Sequence, residues 1–187
     1  PVFEGVPLNH AVISMDYGGQ DISYNLKRLF NEKGTNIDMF SAKTVKERMG
    51  FAQGFVSKDL SHTTASTASF CLPDGNDVTV DSRIFSTCAE TLFMKDENGY
   101  GGVINQVFES IALCDESVRK DLANAIILSG GTSMLAGLGD RLHRDLLRKC
   151  HSEQMNHNLL VVPTTQYREK GYAMQRKFAP WIGASLM

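Results

Sequence analysis

Cysteine, proline and tryptophan are scarce in this chain, and charge of a single sign is missing altogether. The 187 residues hold four Cys, five Pro and one Trp. The cysteines, Cys71, Cys88, Cys114 and Cys150, are far apart and form no CxxC pair, which argues against a zinc site. Free buried thiols in a reducing cytosol or nucleus are the plain reading. Cys150 and His151 are neighbours in sequence, but adjacency is not a catalytic geometry, and they are not taken as a nucleophile pair. With 19 basic against 21 acidic side chains the net charge is −2, so no global field points to nucleic acid or an anionic membrane. The basic stretch Arg141 to Lys149 reads as a solvated helix face. No apolar run approaches a membrane span and no signal peptide is visible. The opening "PVFEGVPLNH" lacks a start methionine, and the chain is expected to be part of a longer protein. The Walker glycine pattern and the GxGxxG fingerprint are also missing.

What is present is an ordinary globular composition, 42% hydrophobic and 21% charged. The length suits one sizeable domain or two small ones. Val2-Phe3 and Ala11 to Met15 flank the turn-rich "EGVPLN", which predicts a β-hairpin. Gly18-Gly19 precede a helix with Asp21 as N-cap and Ile22, Leu26, Leu29 and Phe30 as its buried stripe. Gly34 is placed to end it. A second helix is expected over about Ser41 to Phe51, with Val45 and Met49 inward and Lys43, Lys46, Glu47 and Arg48 elsewhere. "SHTTASTAS" reads as a loop or linker. "ASFCLPDGNDVTV" predicts a hairpin turning at Pro73 to Asn76, with Val78 and Val80 on one face. "MKDENGYGG" is a polar loop, followed by a helix from about Val103 to Leu113 with Ile104, Val107 and Ile111 inward. Ser117 to Asn124 is a further helical segment.

Ala125 to Leu128 reads as a short buried strand, and Leu138, Leu142 and Leu146 recur at helical spacing. Between them lie Gly130 and Gly131. A strand, a glycine turn and a helix place backbone N–H groups where they can face an anion. Taken alone, such glycines are more often tight connections. "HSEQMNHN" is a loop, Leu159 to Val162 a strand and "TTQYREKGYAMQ" a polar loop. Strands alternating with helices make this an α/β chain.

Six motifs in order resemble the actin superfamily. "VFEGVPLNHAV" resembles Tyr-Glu-Gly-x-x-Leu-Pro-His-Ala, and "DYGGQDIS" is similar to Asp-x-Ala-Gly-Arg-Asp-Leu-Thr. "VKERM" resembles Ile-Lys-Glu-Lys-Leu, and "LPDG" matches directly. "CDESVRKDLANAIILSGGTSMLAG" looks like the family's most diagnostic stretch, and "RKFAPWIGASL" is similar to Arg-Lys-Tyr-x-x-Trp-Ile-Gly-Gly-Ser. The resemblance covers nearly the whole chain and implies the second lobe of an actin-related protein. The implied fold is an actin-like ATPase-domain lobe, with a ribonuclease H-like sheet and helices plus a smaller α/β subdomain. Residues 1–17 and 100–187 would be subdomain-3-like, and 18–99 a subdomain-4-like insertion.

By the same resemblance the cleft-facing turn takes ATP or ADP with Mg2+ or Ca2+. Gly130, Gly131 and Thr132 would approach phosphates and ribose, and Met134 would lie against the nucleotide. Lys46 and Glu47 match a pair on the ribose and adenine side, Gly19 a cleft glycine, and Lys177 a lysine beside the adenine. The other reading of Lys46 and Glu47 is a solvated helix face, and of Gly18-Gly19 a helix-entry turn. No catalytic residue and no metal ligand is assigned, because the residues that orient water would lie upstream. Four departures stand out. Leu135 replaces an aromatic near the adenine, and the basic residue before the Lys-Glu pair is kept as Lys43. The loop "MKDENGYGG" replaces a hydrophobic plug, with Lys95, Asp96 and Glu97 in its place. An insertion within 164–175, "QYREKGYAMQ", has no counterpart and is either a partner-binding loop or a tolerated surface insertion.

The implied function is that of an ATP-binding subunit of a multiprotein complex, with protein partners that include actin among the candidates. Cytoskeletal, dynactin-type and chromatin-remodelling roles all occur in the superfamily, in cytoplasm or nucleus. The alternatives are a filament-forming actin-like ATPase and, below that, a chaperone ATPase or sugar kinase.

Overall fold

The computed structural model describes residues 1–52, 67–72, 75–94, 102–153, 159–162 and 175–186. They form a mixed α/β chain that divides into two compact units. The first comprises Pro1–Asp16, Phe93–Met134 and Leu138–Met187; the second comprises Tyr17–Leu92 and Leu135–Gly137. Among the described residues the strands pair into three two-stranded sheets, without the larger ribonuclease H-like sheet that the resemblance implies.

In the first unit, β1 (Val2–Phe3) and β2 (Val6–Pro7) form an antiparallel hairpin with Val2 opposite Pro7. This is tighter than the hairpin expected from the sequence. Glu4 (φ 49°) and Gly5 (φ 82°) both take left-handed backbone, which closes a two-residue turn. The return strand therefore comes at once, and Ala11 is buried in a 3-10 turn, Asn9–Ala11, rather than in a strand.

The first unit's core is built by α4 (Val103–Ala112), α5 (Glu116–Ala123) and α6 (Leu138–Ser152). Leu142, Leu146 and Cys150 are one stripe of α6, and they pack with Ala123, Leu159 and Val161. Val107, Phe108 and Ile111 of α4 are half-buried against the same cluster. Each fully buried side chain of this kind contributes about 1.5–3 kcal/mol. β5 (Ile126–Ile127) pairs in parallel with β6 (Val161–Val162), with α6 in the crossover between them. The strand is shorter than Ala125 to Leu128 and is not buried on both faces. Ile126 and Leu128 pack on the core, whereas Ile127 alternates to the other face and is 65% exposed.

The backbone of Phe93 lies directly against Gly102, where a β-carbon would sit 2.4 Å from the Phe93 carbonyl. Residues 95–101 of the predicted polar loop lie outside the described residues, as do 61–66, 154–158 and 164–174 of the other predicted loops and 73–74 of the second hairpin's turn. The chain's final helix, α7 (Ala179–Leu186), follows a 3-10 turn at Arg176–Phe178.

In the second unit, α1 (Gly19–Glu32) begins three residues earlier than expected. Gly18 is the N-cap, and the Asp21 carboxylate accepts from the Gly18 N–H at 2.7 Å, inside the first turn rather than before it. Ile22, Leu26 and Phe30 are buried and Leu29 is half-buried. At the other end, Gly34 (φ +80°) donates to Asn31 and Thr35 donates to Phe30, the paired bonds of a Schellman cap. Asp38 caps α2 (Met39–Met49) by accepting from the Ser41 N–H at 2.7 Å. A side-chain bond with Ser41, helped by this backbone one, holds the Asp38 carboxyl below its usual value.

β3 (Thr67–Cys71) and β4 (Asp77–Asp81) pair antiparallel, Thr67 opposite Asp81. Thr67, expected in a linker, thus belongs to a strand, because its partner supplies the ladder. Phe70 stands edge-on to Phe30 (5.9 Å) and to Phe85 (6.1 Å) of α3 (Arg83–Thr87), which ties the hairpin to the helices.

Candidate functional site

Five of the eight candidate residues fall in the first unit. After β5 the chain turns left-handed at Gly130 (φ +88°) and enters a 3-10 turn, Gly131–Met134, ahead of α6. This turn is held by a ring of hydrogen bonds. The Gly130 N–H donates to the Arg176 carbonyl at 2.9 Å. The Ser133 hydroxyl and N–H both donate to the Gly130 carbonyl, at 2.7 and 3.2 Å. The Arg176 guanidinium closes the ring, with Nε and Nη2 at 3.2 and 3.0 Å from the Ser133 carbonyl. Ser133 is buried.

The Gly131 and Thr132 N–H groups, at the open end of the turn, have no hydrogen-bond partner among the described residues. A β-carbon at Gly130 or Gly131 would meet no atom within 4 Å. Gly130 is therefore required by its backbone conformation, whereas Gly131 is not confined by the fold. Met134 is 39% exposed. Lys177 is exposed, next in sequence to Arg176, with Nζ 5.7 Å from the centre of the Phe178 ring.

Gly19, Lys46 and Glu47 fall in the second unit. Lys46 is not on a solvated face: it lies on the inner side of α2 with Ala42 and Val45, and is buried. Its ammonium donates to the Gly19 carbonyl at 2.6 Å. Burial holds the Lys46 pKa below its usual 10.5, opposed by the neighbouring Glu47 carboxylate. Two of the candidates are thereby brought together, while Glu47 is exposed. Buried Cys88 feels the Lys46 charge, yet desolvation dominates and pushes its thiol up to about 12. Leu135, which stands where an aromatic was expected, is buried and close to Gly50 within this unit.

A groove of about 760 Å³ opens in the first unit among Phe3, Val12, Val107, Ile111 and Ile127, and none of the eight candidates lines it. Among the described residues, no group of three or more His, Cys, Asp or Glu is placed to hold a metal ion. No described helix is long and apolar enough to cross a membrane. Sequence reasoning missed Arg176 and Ser133 as parts of the turn. Ser133 lies within the quoted motif, but Arg176 is 43 residues away and nothing local marks the pair. In comparison with known families, residues 41–187 match the model described as Actin.

Proposed function

Taking as premise that the chain belongs to the actin family, we propose that it binds ATP or ADP with Mg2+ or Ca2+ as a subunit of a larger protein assembly. The Gly130–Met134 turn carries the reading. It leaves the Gly131 and Thr132 N–H groups without partners among the described residues, and space where a β-carbon would stand. Such N–H groups suit phosphate oxygens, and a glycine lets the backbone come close to them. Gly130, Gly131 and Thr132 would hold phosphates and ribose, with Met134 and Lys177 toward the base. On the second unit, exposed Glu47 would contact ribose, and Lys46 would act from its place on the Gly19 carbonyl. The cation would be held chiefly through the phosphates. When bound, it supplies neutralisation of phosphate charge.

The division into two units supports reading the first as subdomain-3-like and the second as the subdomain-4-like insertion. Family membership favours an actin-like protein over a chaperone ATPase or sugar kinase. Cytoskeletal, dynactin-type and chromatin-remodelling assemblies all remain within the proposal, in cytoplasm or nucleus.

Thermal unfolding of the full-length protein with and without Mg-ATP tests the turn. Ligand that binds only the folded state raises its stability in proportion to the logarithm of its occupancy ratio. Gly131→Val is expected to weaken ATP binding at least about tenfold, roughly 1.4 kcal/mol. The ligand-free midpoint should barely move, since the added side chain starts in open space. Undiminished stabilisation by Mg-ATP in the folded variant would remove the turn from the site.

A further inference from the structure

We propose that Arg176 is a positioning residue, which holds the shape of the nucleotide turn and fixes Lys177 beside it. The inference rests on the nucleotide reading above and adds the group that braces the site. Arg176 grips the turn at both ends. Its carbonyl takes the Gly130 N–H at 2.9 Å, and its guanidinium sends two donors to the Ser133 carbonyl, at 3.0 and 3.2 Å. A planar guanidinium presents these donors in a fixed fork, and a charged donor on a carbonyl makes a stronger bond than a neutral one. Ser133, between the two grips, is buried and bonded back to Gly130.

The brace spends the carbonyls of Gly130 and Ser133 on internal bonds and leaves the Gly131 and Thr132 N–H groups without partners among the described residues. Lys177 is the next residue in the chain and makes no bond to the turn among the described residues; its position follows from its neighbour's attachment. Without the fork, the Gly130 bond and the longer Ser129 hydroxyl contact at 3.5 Å, both to the Arg176 carbonyl, still hold the turn to this segment.

The experiment compares the full-length wild type with Arg176→Gln and Arg176→Lys. Calorimetry reads ATP affinity, and amide hydrogen exchange reads the peptide spanning 129–135 without ligand. Arg176→Gln should lose about tenfold in ATP affinity and exchange faster in that peptide. Arg176→Lys, with a single ammonium nitrogen in place of a planar fork, should recover part of both. A wild type that binds ATP alongside an Arg176→Gln variant that binds it equally well would overturn the proposal. So would lowered thermal stability with affinity unchanged, which marks a purely architectural arginine. If the wild type itself fails to bind ATP, the nucleotide reading falls, and unchanged exchange at 129–135 would sink the brace as well. Should the glutamine variant not fold, the lysine variant carries the same comparison.

Discussion

The ammonium of Lys46 lies 2.6 Å from the carbonyl oxygen of Gly19, 27 residues earlier in the chain. The contact joins the inner face of α2 to the first turn of α1, and it is made by a buried charge. A buried ammonium carries a desolvation cost, and one charged hydrogen bond offsets part of it. The Gly19 carbonyl has a second donor in the Ser23 hydroxyl, at 3.2 Å, so it is not stranded if the lysine is removed.

Lys46→Met is therefore expected to change stability by no more than about 1 kcal/mol, while ATP affinity falls. The pH dependence separates the two effects. In the unfolded chain the lysine keeps its proton up to about 10.5, whereas in the folded chain it releases it earlier. Between those values the unfolded state holds more protons, so the Lys46 contribution to stability rises with pH. Urea titrations across that window should show the rise in the wild type and its loss in Lys46→Met. A variant that unfolds at neutral pH would show the lysine to be a structural keystone instead.

The cysteines should divide by accessibility. Cys71 is exposed, while Cys88, Cys114 and Cys150 are buried. Burial raises the Cys88 thiol from 9.0 to about 12 and moves the Cys150 thiol in the same direction. Thiolate is the reactive form, so a brief iodoacetamide pulse at about pH 8.5 should modify Cys71 and leave Cys88 and Cys150 until denaturant is added. For Cys88 the folded state keeps a proton that the unfolded state has lost above pH 9, so this thiol's contribution to stability falls from pH 9 toward 12. Peptide mass spectrometry that finds Cys88 labelled as fast as Cys71 would contradict the burial.

Assembly is the third test, and it rests on sequence at 94–102. Lys95, Asp96 and Glu97 stand where the resemblance implies a hydrophobic plug. Each apolar side chain lost from a repeated contact forfeits roughly 1.5–3 kcal/mol, and the charges gained must stay wet or find partners. The full-length protein is expected to stay in the supernatant with Mg-ATP and salt, as a monomer or hetero-complex subunit. Pelleting at low micromolar concentration, reversed by dilution, would favour the rival reading of a filament-forming ATPase.

Much of this was legible in the sequence where one residue type has one physical use. Leu138, Leu142 and Leu146 announced the buried stripe of α6, and Gly34 announced the end of α1 through a backbone conformation few other residues accept. The first hairpin was misjudged because Glu4 takes a left-handed conformation that glutamate does not advertise. Lys46 sits among Lys43, Glu47 and Arg48, a run that resembles a wet helix face, and its burial comes from α1, which no local pattern reveals. The site divided in the same way. Gly130 and Gly131 were visible as punctuation between strand and helix, whereas the grip of Arg176 on Ser133 exists only once the chain has returned from far away.

The close approach of Gly102 to Phe93 has a consequence for engineering. A β-carbon at residue 102 would stand 2.4 Å from the Phe93 carbonyl, so any larger residue there has to push two backbones apart. Position 102 is thus one that a mutant library should leave as glycine, whatever else it varies nearby.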